Sequence, residues 1–205
     1  MKPFPLPSAC LLTLAVAACA TTPPQDPQPP ADAPRVAGIA LGFDSLADVA
    51  ERFGASQRIA RGNQPEDTAT ETCYRVSDGA GGELELRFAA TRPQPGGEPV
   101  VTQARVMPAT AALAAGCAVA SVDTASLLPH GLALAMPPAA VEAALAGFTR
   151  TGTDEGEVYM RPAHVVTAQP GEGAICAQGG AVDSVAVIAG PERANGYVIG
   201  RIPAC

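Results

Sequence analysis

The sequence has no tryptophan, few aromatic residues and no lysine beyond Lys2. Aromatic side chains make up only 4% of the 205 residues, so the core has to be filled by Ala, Val, Leu and Ile. The same shortage leaves few rings on which a sugar could stack. From residue 19 onward the chain has 12 arginines against 20 acidic residues, a formal charge of −8, which argues against a nucleic-acid partner.

The common catalytic and metal-binding motifs are also missing. There is no Gly-x-Ser-x-Gly, no His-Glu-x-x-His, no phosphate-binding loop and no EF-hand pattern. The two histidines, His130 and His164, have no second ligand at a helical or hairpin spacing, and no Cys-x-x-Cys is present. We therefore expect no cofactor, no metal ion and no catalytic residue, and we expect that the protein is not an enzyme.

No apolar run is long enough to cross a bilayer as a helix, but a short one, residues 11–18, follows Lys2. A basic start, a brief apolar stretch and small residues before a cleavage site are typical of an export signal. The stretch Val16-Ala17-Ala18-Cys19 resembles the bacterial lipobox, which implies cleavage before Cys19 and acylation of that cysteine, with palmitate among the chains. The alternative is ordinary secretory cleavage, because Ala18-Cys19-Ala20 also fits a small-x-small pattern.

The residues after Cys19 predict a lipid anchor on a stalk. Each buried methylene contributes about 0.8 kcal/mol, so two or three acyl chains hold a protein firmly on a membrane. Ala20, rather than an aspartate, follows Cys19. By resemblance to known bacterial lipoproteins, this residue implies an outer-membrane location facing the periplasm. Residues 1–18 are then the signal peptide and residues 19–35 a tether with six prolines, long enough to hold a domain about 45 Å from the membrane.

The remaining sequence reads as one unit written twice, in residues 36–125 and 126–205. Both copies start with Gly-x-Ala-Leu, at positions 38–41 and 131–134. Apolar residues at 46, 49, 50 and 53 then have helical spacing, Ser45 and Asp48 make a capping-box pair, and Gly54 marks the helix end. Apolar residues at 141, 144, 145 and 148 repeat this spacing in the second copy.

Strand-like segments follow each helix. They are predicted at residues 72–77, 83–88 and 100–107 in the first copy and at 157–161, 174–178, 182–189 and 197–202 in the second. Glycine-rich residues 78–82 and the Asn195-Gly196 dipeptide predict hairpin turns. The predicted fold class is α+β, with two tandem units, each a short helix packed on a small antiparallel sheet.

Six cysteines are present, of which Cys10 leaves with the signal and Cys19 takes the lipid. An even number of cysteines in an exported chain indicates disulfide bonds, and four cysteines allow three pairings. The repeat favours pairing within each unit, because one cysteine of each pair lies in an early strand and the other beyond the third strand. The predicted disulfides are Cys73–Cys117 and Cys176–Cys205.

The first unit also resembles a known family. Gly42-Phe43-Asp44, followed by Val49 and by Phe53-Gly54, is similar to the signature of the SmpA/OmlA family of small outer-membrane lipoproteins. Two such units in tandem resemble the β-lactamase inhibitory proteins, whose halves pack helices on an antiparallel sheet. The resemblance implies a protein that binds other envelope proteins and performs no catalysis.

Two acidic groups allow other functions. Glu83 and Glu85 project from one face of a strand about 7 Å apart, which fits the carboxylates of an inverting glycosidase, although a solvated face that includes Arg87 explains them as well. Asp154, Glu155 and Glu157 either bind calcium weakly or form a solvated turn. We therefore expect a monomeric, non-catalytic binding or scaffolding lipoprotein, with an envelope hydrolase or sugar-binding module as the alternative.

Overall fold

The computed structural model describes residues 29–61, 69–79, 81–91, 99–110, 116–153, 156–163, 180–190 and 192–204. Within these residues the chain forms two α-helices, α1 (Leu46–Phe53) and α2 (Pro138–Ala144), and a 3₁₀ turn at Thr124–Ser126. It also forms eleven strands: β1 (Arg35–Val36), β2 (Ile39–Ala40), β3 (Arg58–Arg61), β4 (Ala69–Ser77), β5 (Glu83–Thr91), β6 (Val100–Pro108), β7 (Ala118–Val119), β8 (Thr149–Thr153), β9 (Gly156–Ala163), β10 (Gly180–Ala189) and β11 (Ala194–Ala204). Neither helix in this part of the chain is long and apolar enough to span a membrane.

Nine of the described strands form one continuous sheet. Eight of them follow the order β3-β4-β5-β6-β11-β10-β9-β8, and each neighbouring pair is antiparallel. The ninth strand, β7, runs parallel to β4 beyond the part of β4 that β3 covers. The short strands β1 and β2 form a separate hairpin.

The expected fold class, two tandem units that each pack a short helix on a small antiparallel sheet, is wrong. The sheet is not divided, because β6 from the first half pairs with β11 from the second over four residue pairs, from Gln103↔Gly200 to Val106↔Tyr197. This pairing satisfies backbone groups that would otherwise lie at two exposed sheet edges. The molecule is therefore mainly one antiparallel sheet with two short helices.

The two faces of this sheet differ. One, called here the helix face, is apolar and contributes Tyr74, Leu86, Phe88 and Tyr197 to a buried cluster that also contains residues of both helices, such as Val49. Phe53 at the end of α1 packs on the rings of this face, with its centroid 5.4 Å from that of Tyr74. The other, called here the open face, carries the alternate residues of each strand, and several of them reach solvent.

The first predicted helix is confirmed in detail. The Ser45 side chain accepts hydrogen bonds from the backbone of Ala47 and Asp48, and Asp48 Oδ2 accepts one from Ser45 N at 2.7 Å, which completes the capping box. Gly54 ends the helix with a φ of 86°, a backbone conformation that favours glycine. In the second half the helix ends at Ala144, although Val141 and Leu145 are both buried as its spacing indicates.

Most of the predicted strands lie inside longer observed ones, but one turn is wrong. Asn195-Gly196 belongs to β11, and the chain reverses earlier, where Gly190 N donates to Arg193 O at 2.9 Å. A Cβ on Gly196 would meet the carbonyl oxygen of Val106 at 2.5 Å, so this glycine permits close packing of β11 on β6 rather than a turn. The strand predicted at residues 174–178 lies outside the described residues.

One predicted disulfide is present. Cys73 in β4 is bonded to Cys117, which directly precedes β7, and both cysteines are buried. Cys19, Cys176 and Cys205 lie outside the described residues.

Candidate functional site

The open face is the side of the sheet away from the helices, and the alternation of side chains along each strand determines which residues lie on it. Its central row runs across five strands through Arg87, Arg105, Val198, Ala186 and Val158. Arg105 is exposed, whereas the three apolar residues are half-buried. The row therefore changes from charged on the β5 side to apolar on the β9 side.

A second row on the open face has small residues at its centre. It runs from Gln103 through Gly200 and Ser184 to Met160. Gly200 has no side chain, and a Cβ there would lie 2.8 Å from Ser184 Oγ, so the position stays small. Met160, at 37% exposure, is one of the most exposed large hydrophobic residues of the described chain. In the described chain, these side chains form a surface that has both apolar and polar groups.

Ion pairs order the charged side of the open face. Arg61 donates to Glu71 at 3.1 Å, and Arg87 donates to the same carboxylate oxygen at 3.5 Å. Arg87 Nε also donates to Glu85 Oε1 at 2.5 Å, and this hydrogen bond is the main cause that raises the pKa of Arg87. No side-chain hydrogen bond or ion pair of Arg105 is found in the described part of the chain, so this arginine is open to an acidic partner.

The structure does not assemble the acidic residues considered for hydrolysis into a cleft. Glu83 is exposed and lies 3.6 Å from Arg75, whereas Glu85 is fully buried and paired with Arg87. The expectation that these strand residues share one solvated face is therefore wrong for Glu85. His130 lies in the other half of the molecule, against Phe148, at a ring separation of 5.2 Å.

Two members of the possible calcium group, Asp154 and Glu155, lie outside the described residues. His164 lies outside them as well. Glu157 accepts hydrogen bonds from Arg150 and from the Tyr159 hydroxyl, so its carboxylate already has protein partners. Among the described residues, no three His, Cys, Asp or Glu side chains are grouped closely enough to hold a metal ion.

Sequence reasoning missed a buried charged cluster on the helix face. Asp183 is 1% exposed and accepts hydrogen bonds from Arg201 Nε at 2.8 Å and from Arg161 at 3.2 Å. The guanidinium of Arg201 lies 5.5 Å from the ring centre of Phe43, which ties this cluster to the segment before α1. Strand alternation could have revealed the cluster, because these three charged residues share the buried face with their apolar neighbours.

His130 belongs to the border of the same cluster. Burial lowers the pKa of His130, the positive charge of Arg161 lowers it further, and Asp183 opposes the change. Arg161 also lies over the Phe148 ring at 4.9 Å. The imidazole therefore lies against an aromatic ring and beside a salt bridge, which suits a structural role.

Two small pockets lie at the ends of the helices. One, of about 230 Å³, is formed between the start of α2 and the turn that precedes β11, and Met136, Val141, Val187 and Glu157 are among its lining residues. The other, of about 210 Å³, lies beside the end of α1 and includes Arg52, Phe53 and Asp123. Neither contains Glu83, Glu85 or His130, so neither joins the residues that a hydrolase would need.

No protein-family model, curated protein or solved structure matches this chain. The similarity to the SmpA/OmlA family therefore stays a prediction from short motifs. The open face is the candidate functional site on geometry alone.

Proposed function

We propose that the protein is a membrane-anchored envelope lipoprotein that binds or scaffolds another envelope protein through the open face and performs no catalysis. The observation that carries this proposal is the asymmetry of the nine-stranded sheet: one face is buried beneath the helices, and the other presents Arg105, Val198 and Met160 to solvent. These exposed and half-buried side chains are the part of the described sheet that a partner could contact.

The composition of the open face supports a protein partner. Methionine and arginine are enriched in protein interfaces, and apolar residues bordered by charged ones are typical of a docking surface. The half-buried Val198 and Val158 provide the apolar part, and the unpaired Arg105 provides a charge that an acidic side chain of the partner can meet. Nucleic acid is not the proposed partner, because the mature chain is strongly acidic.

The proposed anchor supports the same function. Acylated Cys19 attaches the protein to the outer membrane, and the proline-rich tether lets the sheet reach a partner in the periplasm about 45 Å away. Tethering also raises the local concentration of the open face near membrane-bound partners.

Site-specific crosslinking in the native envelope tests the open face. A photoreactive amino acid at Met160 should capture a discrete partner, whereas the same residue at Glu51, exposed on α1, should not. Val198→Lys should then remove the Met160 crosslink while leaving the fold intact by circular dichroism. Equal capture from both positions, or none from Met160, would contradict the proposal.

The anchor has its own test. Cys19→Ala should release the protein from membranes or block its processing, and mass spectrometry of the wild-type protein should find an acylated N-terminal Cys19. An unmodified N-terminus at any later residue would exclude the lipoprotein.

A further inference from the structure

The charged residues in the second half of the sheet lie on one face only. Strands β8 to β11 contain five charged residues, and the strand register puts all of them on the helix face: Arg150, Glu157, Arg161, Asp183 and Arg201. The alternate positions, on the open face, are uncharged in the described part of these strands. They include Thr151, Val158, Met160, Ser184, Ala186 and Val198, which are called here the uncharged patch.

The uncharged patch has the composition of a covered surface. A sheet with one face in the core ordinarily presents its polar residues on the other face, and here the charges follow the opposite pattern. Val158, Ala186 and Val198 are nevertheless only half-buried, and Met160 is exposed. Because charged residues are depleted at the centre of protein interfaces, and exposed apolar patches with a polar border mark interaction sites, we expect a partner to cover this half of the open face.

An unbalanced positive charge borders the uncharged patch. Arg105 on β6 is exposed and lies directly opposite Val198 across the strand pair. Its neighbour on the other side, Arg87, is ion-paired with Glu85 and Glu71. Arg105 has no such ion pair in the described chain, so a carboxylate at the edge of a partner's apolar surface would complement it.

The N-terminal end of the described chain shows on which side the tether joins the domain. Ala33 and Pro34 are buried, and Pro34 O accepts a hydrogen bond from Leu41 N at 3.0 Å. Leu41 and Val36 belong to the buried cluster between the sheet and the helices. The tether therefore joins the domain on the side of the helix face, opposite the open face.

This position directs the uncharged patch away from the proposed lipid anchor. Residues 19–28, which lie before the described chain, span about 31 Å when extended at about 3.1 Å per residue. A bilayer could contact the patch only if the tether bent around an edge of the sheet and past the layer of helices, which is about 10 Å thick. A partner protein in the periplasm meets no such obstacle.

We propose that the uncharged patch binds a periplasmic protein on the side of the molecule that faces away from the outer membrane, and that this protein presents an apolar surface with a carboxylate opposite Arg105. The inference rests on the function proposed above, and it adds the position, the orientation and the charge of the contact. The other candidate occupants are the bilayer, a second copy of the chain and other residues of the same chain.

Crosslinking combined with a charge reversal tests the carboxylate. In the native envelope, a photoreactive amino acid at Met160 should capture a protein, and Arg105→Glu should lower the yield about tenfold, since it would bring two negative charges together. Arg193→Glu, at an exposed site in the turn before β11, is the control and should leave the yield unchanged. Circular dichroism should confirm that both variants fold.

The outcomes separate the inference from the proposed function. A captured protein whose yield does not respond to Arg105→Glu would overturn the inference and leave the proposed function standing. A crosslink to lipid, to a second copy or within the chain, or no crosslink at all, would overturn both.

Fluorescence quenching tests the orientation. The acylated protein is placed in vesicles of phosphatidylethanolamine and phosphatidylglycerol that contain a lipid with a nitroxide-labelled headgroup. A fluorescent amino acid at Asp32, exposed near the tether, should be quenched more strongly than the same amino acid at Met160. Equal or stronger quenching at Met160 would place the patch at the membrane and refute the orientation, whatever the crosslinking experiment shows.

Discussion

Removing the carboxylate of Asp183 should destabilise the protein more than any exposed charge change. This residue is buried between Arg201, which is 5% exposed at its side chain, and Arg161, which is 32% exposed. In Asp183→Ala, Arg201 is left without its ion-pair partner at a position where water cannot readily replace it. The large guanidinium cannot leave without disturbing its contact with Phe43.

The expected loss follows from these exposures. Breaking a buried ion pair by removing one partner costs about 3–5 kcal/mol. Because Arg161 can turn toward solvent, only Arg201 stays fully uncompensated, so we expect the low end of the range, about 3 kcal/mol. With a urea dependence of about 2 kcal/mol per molar, the unfolding midpoint should fall by about 1.5 M.

Urea unfolding followed by far-ultraviolet circular dichroism measures this change. Glu142→Ala is the matched control, since it removes an acidic partner from Arg150 in an ion pair that is about half exposed, and its unfolding midpoint should change far less. Equal losses in the two variants would refute the reasoning that burial decides the effect. Replacing Asp183 and Arg201 together with Leu and Met should recover much of the stability, because similar apolar replacements are often neutral.

Three further changes test other parts of the fold. The pKa of His130 in the folded state lies below its ordinary value of 6.5, so the contribution of this residue to the free energy of unfolding should be fully present above pH 6.5 and should be lost as the pH falls below it. His130→Asn should reduce this pH dependence in urea titrations, and an unchanged pH dependence would contradict the assignment. Cys73→Ser with Cys117→Ser should lower the free energy of unfolding by up to about 4 kcal/mol, since the bond closes a loop with a sequence separation of 44, and a loss below about 1 kcal/mol would argue against it as a major stabilising link. Gly196→Ala should lower the free energy of unfolding by more than about 1 kcal/mol, because the added Cβ would clash with backbone atoms of β6. Gly147→Ala, which has open space around it, is the control and should be tolerated. Equal melting temperatures of the two variants would count against the close packing of β11 on β6.

Local elements were predictable from the sequence because their causes are local. The capping box of α1 depends on Ser45 and Asp48, three positions apart, and the alternation of Leu84, Leu86 and Phe88 identifies the buried face of β5. The disulfide between Cys73 and Cys117 followed from placing each cysteine within one half.

The joined sheet was not predictable in this way, because it depends on residues far apart in sequence. Nothing in β6 alone indicates that Val106 pairs with Tyr197, and the repeat suggested instead that each half closes on itself. The burial of Glu85 was also not predicted. Alternation indicates the face on which a residue lies, but it does not indicate which other segments cover that face. For the candidate site, the sequence placed Glu83, Glu85 and Arg87 on one face, but Arg105 and the continuity of the open face across five strands required the strand order.

The position of β11 has a consequence for how the molecule is made. It is the last strand in the described chain, yet it lies in the middle of the sheet, between β6 and β10. Without β11, both of these strands would have unpaired edges, and such edges favour aggregation. The C-terminal strand is therefore the element that joins the two halves of the sheet, and loss of residues 194–204 should leave β6 and β10 with exposed backbone groups.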